Sequence, residues 1–327
     1  MKEHRRVDFF ASEPHFFDHM APIWEKLNDE YKGTFLVTQE IIDMCAKRIP
    51  EVRLGLPTEN ICLVASFGDY SRSKGQVIFM EHGIGHTYSV DDHSSYAGGK
   101  GKDRVVLFLN QHHITDKKNK KTYPKTKHEI IGTPKMDEYG TKEIKGRTVC
   151  ISFHWNCAIV PETRTTLPHY EKVFKTLAKS NDYTLVVHAH PREYGNWQKS
   201  VQRYFRGYDI RFITDFRQVL DEADIYINDN SSTMYEFMLT GKPVIVLNAP
   251  WYRKEINTGI RFWDFIPGIQ VDNPEDLDGA IKRTLDNPNE FKETREVIAK
   301  ELYPHHRQAA QRAATTIENY INKTGKK

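Results

Sequence analysis

Residues 224–246 read DIYINDNSSTMYEFMLTGKPVIV. DIYIND is a short run of β-branched and aromatic residues, and KPVIV is another. Between them SSTMYEFMLTG has helical character and closes on Gly241, a residue suited to a helix C-cap. A strand, a helix and a strand in so short a stretch make a unit of parallel sheet with a right-handed crossover.

The same alternation extends outward in both directions. Upstream, RTVCISF (147–153) reads as a strand and LPHYEKVFKTLAKS as a helix, and YTLVVHAHP (183–191) and IRFITD (210–215) read as further strands. FRQVLDEA is a short helix before DIYIND. Nearer the N-terminus, VDFFAS (7–12) reads as a buried strand. Phe16, Met20, Ile23, Trp24 and Leu27 then recur at helical spacing. GTFLVT is a second strand and QEIIDMCAKRI a second helix, and ICLVASF (61–67), QVIFMEHG (76–83) and RVVLFLN (104–110) add short strands. Polar residues and a glycine interrupt the apolar runs near Lys142–Gly146. The last 40 or so residues, roughly, read as a helical tail broken once at Pro304. The fold class expected is therefore α/β, with two doubly wound, Rossmann-like domains facing a cleft. The first spans residues 1–145 and the second 146–305, and residues 306–327 form a helix returning to the N-terminal lobe.

Composition narrows the function. The chain has 327 residues, 39% hydrophobic and 28% charged, enough apolar content for two packed cores. Apolar runs such as Val105–Leu109 and Val244–Leu247 fall far short of the ~20 residues that span a bilayer. MKEHRRVDFF at the N-terminus has no apolar core of a secretory signal, so a cytoplasmic location is expected. Cys45, Cys62, Cys150 and Cys157 lack metal-binding spacing and read as buried apolar residues. A net charge of +3 does not by itself point to nucleic acid. The lysine-rich stretch DKKNKKTYPKTKH (116–128) reads as a solvated loop. Its functional alternative is a contact, through Lys117–Lys127, with a polyanionic acceptor or an anionic membrane surface.

Three motifs fall just after strands, where open α/β sheets bind ligands. Asn230, Ser231, Ser232 and Thr233 open the helix after DIYIND, where free N–H groups and hydroxyls suit a pyrophosphate. Glu236, one turn on, is placed to reach ribose hydroxyls, although an ordinary N-cap would look similar. His188, His190 and Arg192 in VVHAHPRE can bind phosphate oxygens and stabilise a leaving diphosphate. A metal reading of the two histidines fails for want of further ligands, so neither metal nor cofactor is expected. In MEHGIGHTY (80–88), Gly83 and Gly85 permit a tight turn beside His82 or His86, and His82 is the choice for a general base. His154 and Trp155, in SFHWN, are weaker candidates for lining the donor site. Asp91-Asp92 and Asp229-Asn230 read as solvated rather than metal-binding.

The order of these segments resembles the CDP-glycerol glycerophosphotransferase family, the teichoic-acid primases and polymerases: a strand and HG, then IGTPKMD, SFHWN, HAHPR and NDNSSTMYEFMLTGKPVIV. The resemblance spans roughly residues 60–320, and its last motif is the most specific. It implies a GT-B fold with His82 as base, His190 and Arg192 on the diphosphate, and Ser231, Ser232 and Thr233 at the phosphate-binding helix start. Glu81 stands where the family usually has an aromatic residue, and Glu236 where an aspartate is common. The implied reaction is transfer of a glycerophosphate group from a CDP-activated donor to an acceptor hydroxyl. The alternative is a nucleotide-sugar glycosyltransferase using UDP or GDP donors. In either case the partners are a nucleotide-diphosphate donor and a polyol-phosphate, glycan or nucleic-acid acceptor.

Overall fold

The structure is a computed structural model, and it describes residues 6–84, 104–157, 161–255 and 262–324. Gly85, His86 and Asp91-Asp92, named above, lie outside the described residues. The chain divides into two compact units. One contains residues 6–84, 104–138 and 301–324, and the other contains the described residues between 139 and 300.

The first unit is built on seven strands: β1 (Val7–Ala11), β2 (Lys32–Val37), β3 (Arg53–Leu54), β4 (Ile61–Val64), β5 (Val77–Met80), β6 (Val105–Asn110) and β7 (Lys127–Ile130). They pair in the order β3-β2-β1-β4-β5-β6-β7, and every pairing is parallel. Helices α1 (Pro14–Lys26), α2 (Ile42–Ala46), α3 (Phe67–Arg72) and α4 (His113–Thr122) connect them. Successive strand residues point to opposite faces, and here both faces are buried. Phe9 and Leu63 pack on one side with Phe17, Met20 and Trp24 of α1, while Phe10, Val64 and Phe79 pack on the other with Tyr70 and Phe108. The helical periodicity of residues 16–27 thus becomes the apolar face of α1, started by Pro14 at its first turn. The lysine-rich stretch is not the loop expected from its charge. Its first half belongs to α4, with Lys117, Lys120 and Lys121 exposed and Asn119 buried, and its end runs into β7. Polar residues fold there because one face of α4 is anchored: Asn119 donates to Asn110 at 2.6 Å, and Asn110 donates to Asp116 at 3.0 Å.

The second unit holds β8 (Thr148–Phe153), β9 (Thr184–Ala189), β10 (Arg211–Ile213), β11 (Ile225–Asn228), β12 (Val244–Leu247) and β13 (Ile269–Val271). The order is β10-β9-β8-β11-β12-β13, again parallel throughout. Its helices are α5 (Leu167–Tyr170), α6 (Phe174–Ala178), α7 (Tyr194–Tyr204), α8 (Phe216–Glu222), α9 (Thr233–Met238), α10 (Leu277–Asp286) and most of α11 (Lys292–Leu302). Gly241 follows α9 in the left-handed region, at φ 77°, so the helix closes there as its sequence indicates. Lys242, next in line, is buried, and its ammonium donates to the Ala223 carbonyl at the end of α8 at 2.7 Å. That is a cationic cap on a helix C-terminus.

The tail turns at Pro304, where His305 and Arg307 adopt positive φ, and re-forms as α12 (Ala309–Thr324). Ala313, Ala314, Ile317 and Ile321 of α12 join the core of the first unit. Asp137 caps α12 from a distance, accepting from the Ala309 and Ala310 amides at 3.1 and 2.7 Å. Gly132, just before this cap, sits at φ +89°, and a Cβ there would lie 2.3 Å from the Pro304 carbonyl oxygen.

In each unit the strand order reverses once, between β1 and β4 and between β8 and β11, and a buried aspartate bridges the gap. Asp69 accepts from the Ser12 amide just past β1 at 3.2 Å. Asp229 accepts from the His154 amide just past β8 at 2.7 Å and from the Thr166 amide at 2.9 Å. Asp229 was expected to be a solvated acid, and it is instead fully buried, because three hydrogen-bond donors stand in for water. Burial pushes both carboxyls up from 3.8 to about 6.

Two outcomes are expected. Gly132→Ala should destabilise the protein by about 3 kcal/mol or more, through the positive φ and the backbone collision together, read as a lowered urea midpoint. For Asp229, a folded pKa above the unfolded one means the native state keeps a proton the unfolded chain has released between pH 3.8 and about 6. Its contribution to stability is therefore present at low pH and lost as pH rises through that window. Asp229→Asn should consequently be more destabilising at pH 4 than at pH 7, by on the order of 3 kcal/mol, in urea titrations of both proteins. A penalty that grows with pH would contradict this.

Candidate functional site

Ligands in open α/β sheets bind where the strand order reverses, because the loops from the two central strands leave in opposite directions. In the second unit that point lies between the ends of β8 and β11. Four groups singled out in the sequence gather around it: SFHWN after β8, HAHPR after β9, and both halves of NDNSST after β11.

The residues after β8 and β9 form an aromatic and cationic cluster. The rings of His154 and His190 lie 5.4 Å apart, and Arg192 stacks its guanidinium over Trp155 at 4.9 Å. Hydrogen bonds assign each imidazole its proton. Nδ1 of His154 lies 2.9 Å from the Trp155 carbonyl oxygen and 3.0 Å from that of Thr163. Carbonyls only accept, so Nδ1 carries the hydrogen and Nε2 the lone pair. Burial lowers this imidazole to about 4, so it is neutral at physiological pH. His154 therefore offers an acceptor, suited to a hydroxyl or amine and not to a phosphate oxygen. His190 is the opposite case: its Nδ1 accepts from the Arg192 amide at 3.3 Å, which puts the proton on Nε2. It presents a donor alongside the Arg192 guanidinium, the pairing that phosphate oxygens require.

Beyond β11 the hydroxyls engage one another. Ser231 Oγ and Thr233 Oγ1 are 2.9 Å apart, and Thr233 Oγ1 is 2.9 Å from the Tyr226 hydroxyl. Asn228 bonds both to that hydroxyl and to the Ser152 carbonyl, and the Ser152 hydroxyl is 3.0 Å from His188 Nδ1. His188 is buried against Phe216 and Tyr194, so it occupies the inner end of a polar chain whose outer end is Ser231. Ser232 lies at the start of α9, Asn230 is buried with its amide on the Glu162 carbonyl, and Glu236 is buried one turn into α9.

Several supporting groups carry no short-range signal. Glu162 is buried and takes a two-pronged bond from Arg253, at 2.5 and 2.7 Å, and its carbonyl holds Asn230. Burial works against its charge, but the Arg253 guanidinium holds the carboxyl below its ordinary range. Tyr252 donates to the Arg164 carbonyl at 2.9 Å. These partners lie 68 to 91 residues apart, beyond the reach of any local pattern.

In the first unit, His82 follows β5. Its Nδ1 is 2.6 Å from the carbonyl oxygen of Ala65, just past β4, so the hydrogen sits on Nδ1 and the lone pair on Nε2. Phe16 packs edge-on against the ring at 4.4 Å, and His15 lies 5.1 Å from it. In its neutral form an imidazole held in this tautomer is equipped to accept a proton. All four cysteines are free and buried, and among the described residues no helix is long and apolar enough to cross a membrane.

No curated protein matches the chain by sequence. Among solved structures, MnaA of S. aureus in complex with UDP superposes with a TM-score of 0.67 at 13% identity, over 97% of each chain. A putative UDP-N-acetylglucosamine 2-epimerase from Listeria monocytogenes gives 0.64 at 16% identity, over 98% of this chain and 97% of that one. The wall teichoic acid polymerase TagF, as a histidine-to-asparagine variant soaked with CDPG, gives 0.65 at 11% identity, over 98% and 89%. These likenesses show the fold, the two-sheet GT-B architecture expected from the sequence. Residues 163–319 match the CDP-Glycerol:Poly(glycerophosphate) glycerophosphotransferase family, a shorter span than the motifs indicated. Over those residues, just under half of its length, the chain is similar to that family, and it is a transferase that uses a nucleotide-linked donor.

Proposed function

We propose that this protein transfers a glycerophosphate group from CDP-glycerol to an acceptor hydroxyl, with His82 as general base. The observation that carries the reading is the complementary protonation of its imidazoles. His190 presents an N–H beside Arg192, whereas His82 presents a lone pair. The family match over 163–319 supports the donor.

In this reaction the acceptor oxygen bonds to the β-phosphorus of the donor while the bridging P–O bond breaks and CMP leaves with its electron pair. The acceptor proton passes to Nε2 of His82. Charge growing on the phosphoryl oxygens and on the departing phosphate is met by Nε2–H of His190 and by Arg192, which Trp155 holds in place. Ser231, Ser232 and Thr233 add hydroxyl and amide donors. His154, neutral with an outward acceptor, fits a hydroxyl or exocyclic amine of the nucleoside better than a phosphate.

The test is release of CMP from CDP-glycerol in the presence of candidate acceptors, run in parallel with UDP- and GDP-sugars. CMP release with no UDP or GDP release is expected. Preferential turnover of a sugar nucleotide would replace this reading with a glycosyltransferase. His82→Ala should lower transfer about 10²- to 10⁴-fold while CDP-glycerol affinity stays unchanged. Arg192→Ala should cost about 10²- to 10³-fold and weaken donor binding as well. Equal loss of donor affinity in both variants would remove His82 from the role of base.

A further inference from the structure

A groove of about 770 Å³ opens in the first unit at the carboxyl ends of β1, β2 and β3. It lies beside that unit's strand-order reversal, where α/β sheets take ligands. Its walls are of mixed chemistry. Glu13 and Glu40 contribute carboxylates and Arg72 a guanidinium, and the Ser12 and Thr38 segments lie between them, tied by a 3.3 Å bond from the Thr38 hydroxyl to the Ser12 carbonyl. Leu54 and Leu56 form an apolar side, 56% and 63% exposed, on which the carbon of a ligand can pack.

Charge decides what fits. Arg72 does not face the groove as an unopposed cation, because the buried Asp69 carboxylate lies 3.9 Å behind it. Glu40 is held ionised below its ordinary range, first by the Thr38 hydroxyl and then by its own amide, with Arg72 adding to the effect. Two carboxylates against one already opposed guanidinium repel a phosphate-bearing ligand. They are well suited to accept hydrogen bonds from neighbouring hydroxyls, while the leucines cover carbon. The same wall leads to His82: the Glu13 carboxylate is 3.6 Å from His15 Nδ1, and the His15 ring is 5.1 Å from that of His82.

We infer that this groove binds an uncharged, hydroxyl-rich molecule, a sugar or polyol unit, as the end of the acceptor that presents its hydroxyl to the base. The word acceptor rests on the transferase reading above; the binding of a neutral polyol does not. The inference separates this chain's acceptor end from a bare phosphate-terminated chain, which the carboxylates would repel.

The test is a titration of the full-length protein, methyl-labelled at isoleucine and leucine, with methyl β-glucopyranoside and separately with sn-glycerol 3-phosphate. Saturable shifts at Ile41, Leu54 and Leu56 are expected with the glycoside, and at least about tenfold weaker binding with the phosphate. The double variant Glu13→Gln, Glu40→Gln should keep the native methyl spectrum and lose about tenfold in glycoside affinity. Tighter binding of glycerol phosphate, or no shift at the three residues with the glycoside, overturns the inference. CMP release is read separately. Its absence would sink the transferase reading and leave the groove result standing, and the reverse holds equally.

Discussion

Where a parallel sheet reverses its strand order, the two central strands end side by side while their loops diverge, leaving backbone N–H groups facing a gap. In both units of this protein one buried carboxylate fills that gap. Asp229 joins the end of β8 to the segment that starts α5, and Asp69 joins the end of β1 to α3. Each is a strained solution: burial resists the charge, as the raised carboxyl values show, and the amides hold it in place. Without Asp229, the amide of His154 and the Thr166 segment would have no common anchor. The geometry of His154, Trp155 and His190 depends on that anchor, since His154 is also tied to Thr163 through Nδ1.

Proton placement then does the chemical sorting. Three histidines of similar appearance in sequence receive different protons because their neighbours differ. A carbonyl at His82 and two at His154 fix hydrogen on Nδ1, and an amide at His190 fixes it on Nε2. Histidine alone thereby presents Nε2 as a hydrogen-bond acceptor at His82 and His154 and as a hydrogen-bond donor at His190. His188, two residues before His190, is drawn inward by Ser152 and Phe216 and supports the chain of hydroxyls under Ser231.

The strands and the helices that pack on them were legible because apolar periodicity is a local property. VDFFA, ICLV, VVLFLN, TVCISF and VIVL each form the strand their composition indicates. β3, β7 and β13 were missed because each is an edge strand of mostly exposed or half-buried residues, which leaves little apolar pattern to read. The lysine-rich segment misled for the opposite reason. Its charge resembles a loop, yet Asn119 and Asp116 bury one face against β6. Asp229 misled likewise, since only the fold brings three donors to it.

The sequence by itself determined the alternation of strands and helices, the places where a polar motif follows a strand, and the residue types available there, because each depends on neighbours within one turn or one strand. Tertiary structure decided strand order, the burial of Asp69 and Asp229, the partners of Glu162, and which nitrogen of each imidazole holds the proton. Those depend on contacts between residues dozens of positions apart, and hydrogen bonds of that range leave no periodicity to read.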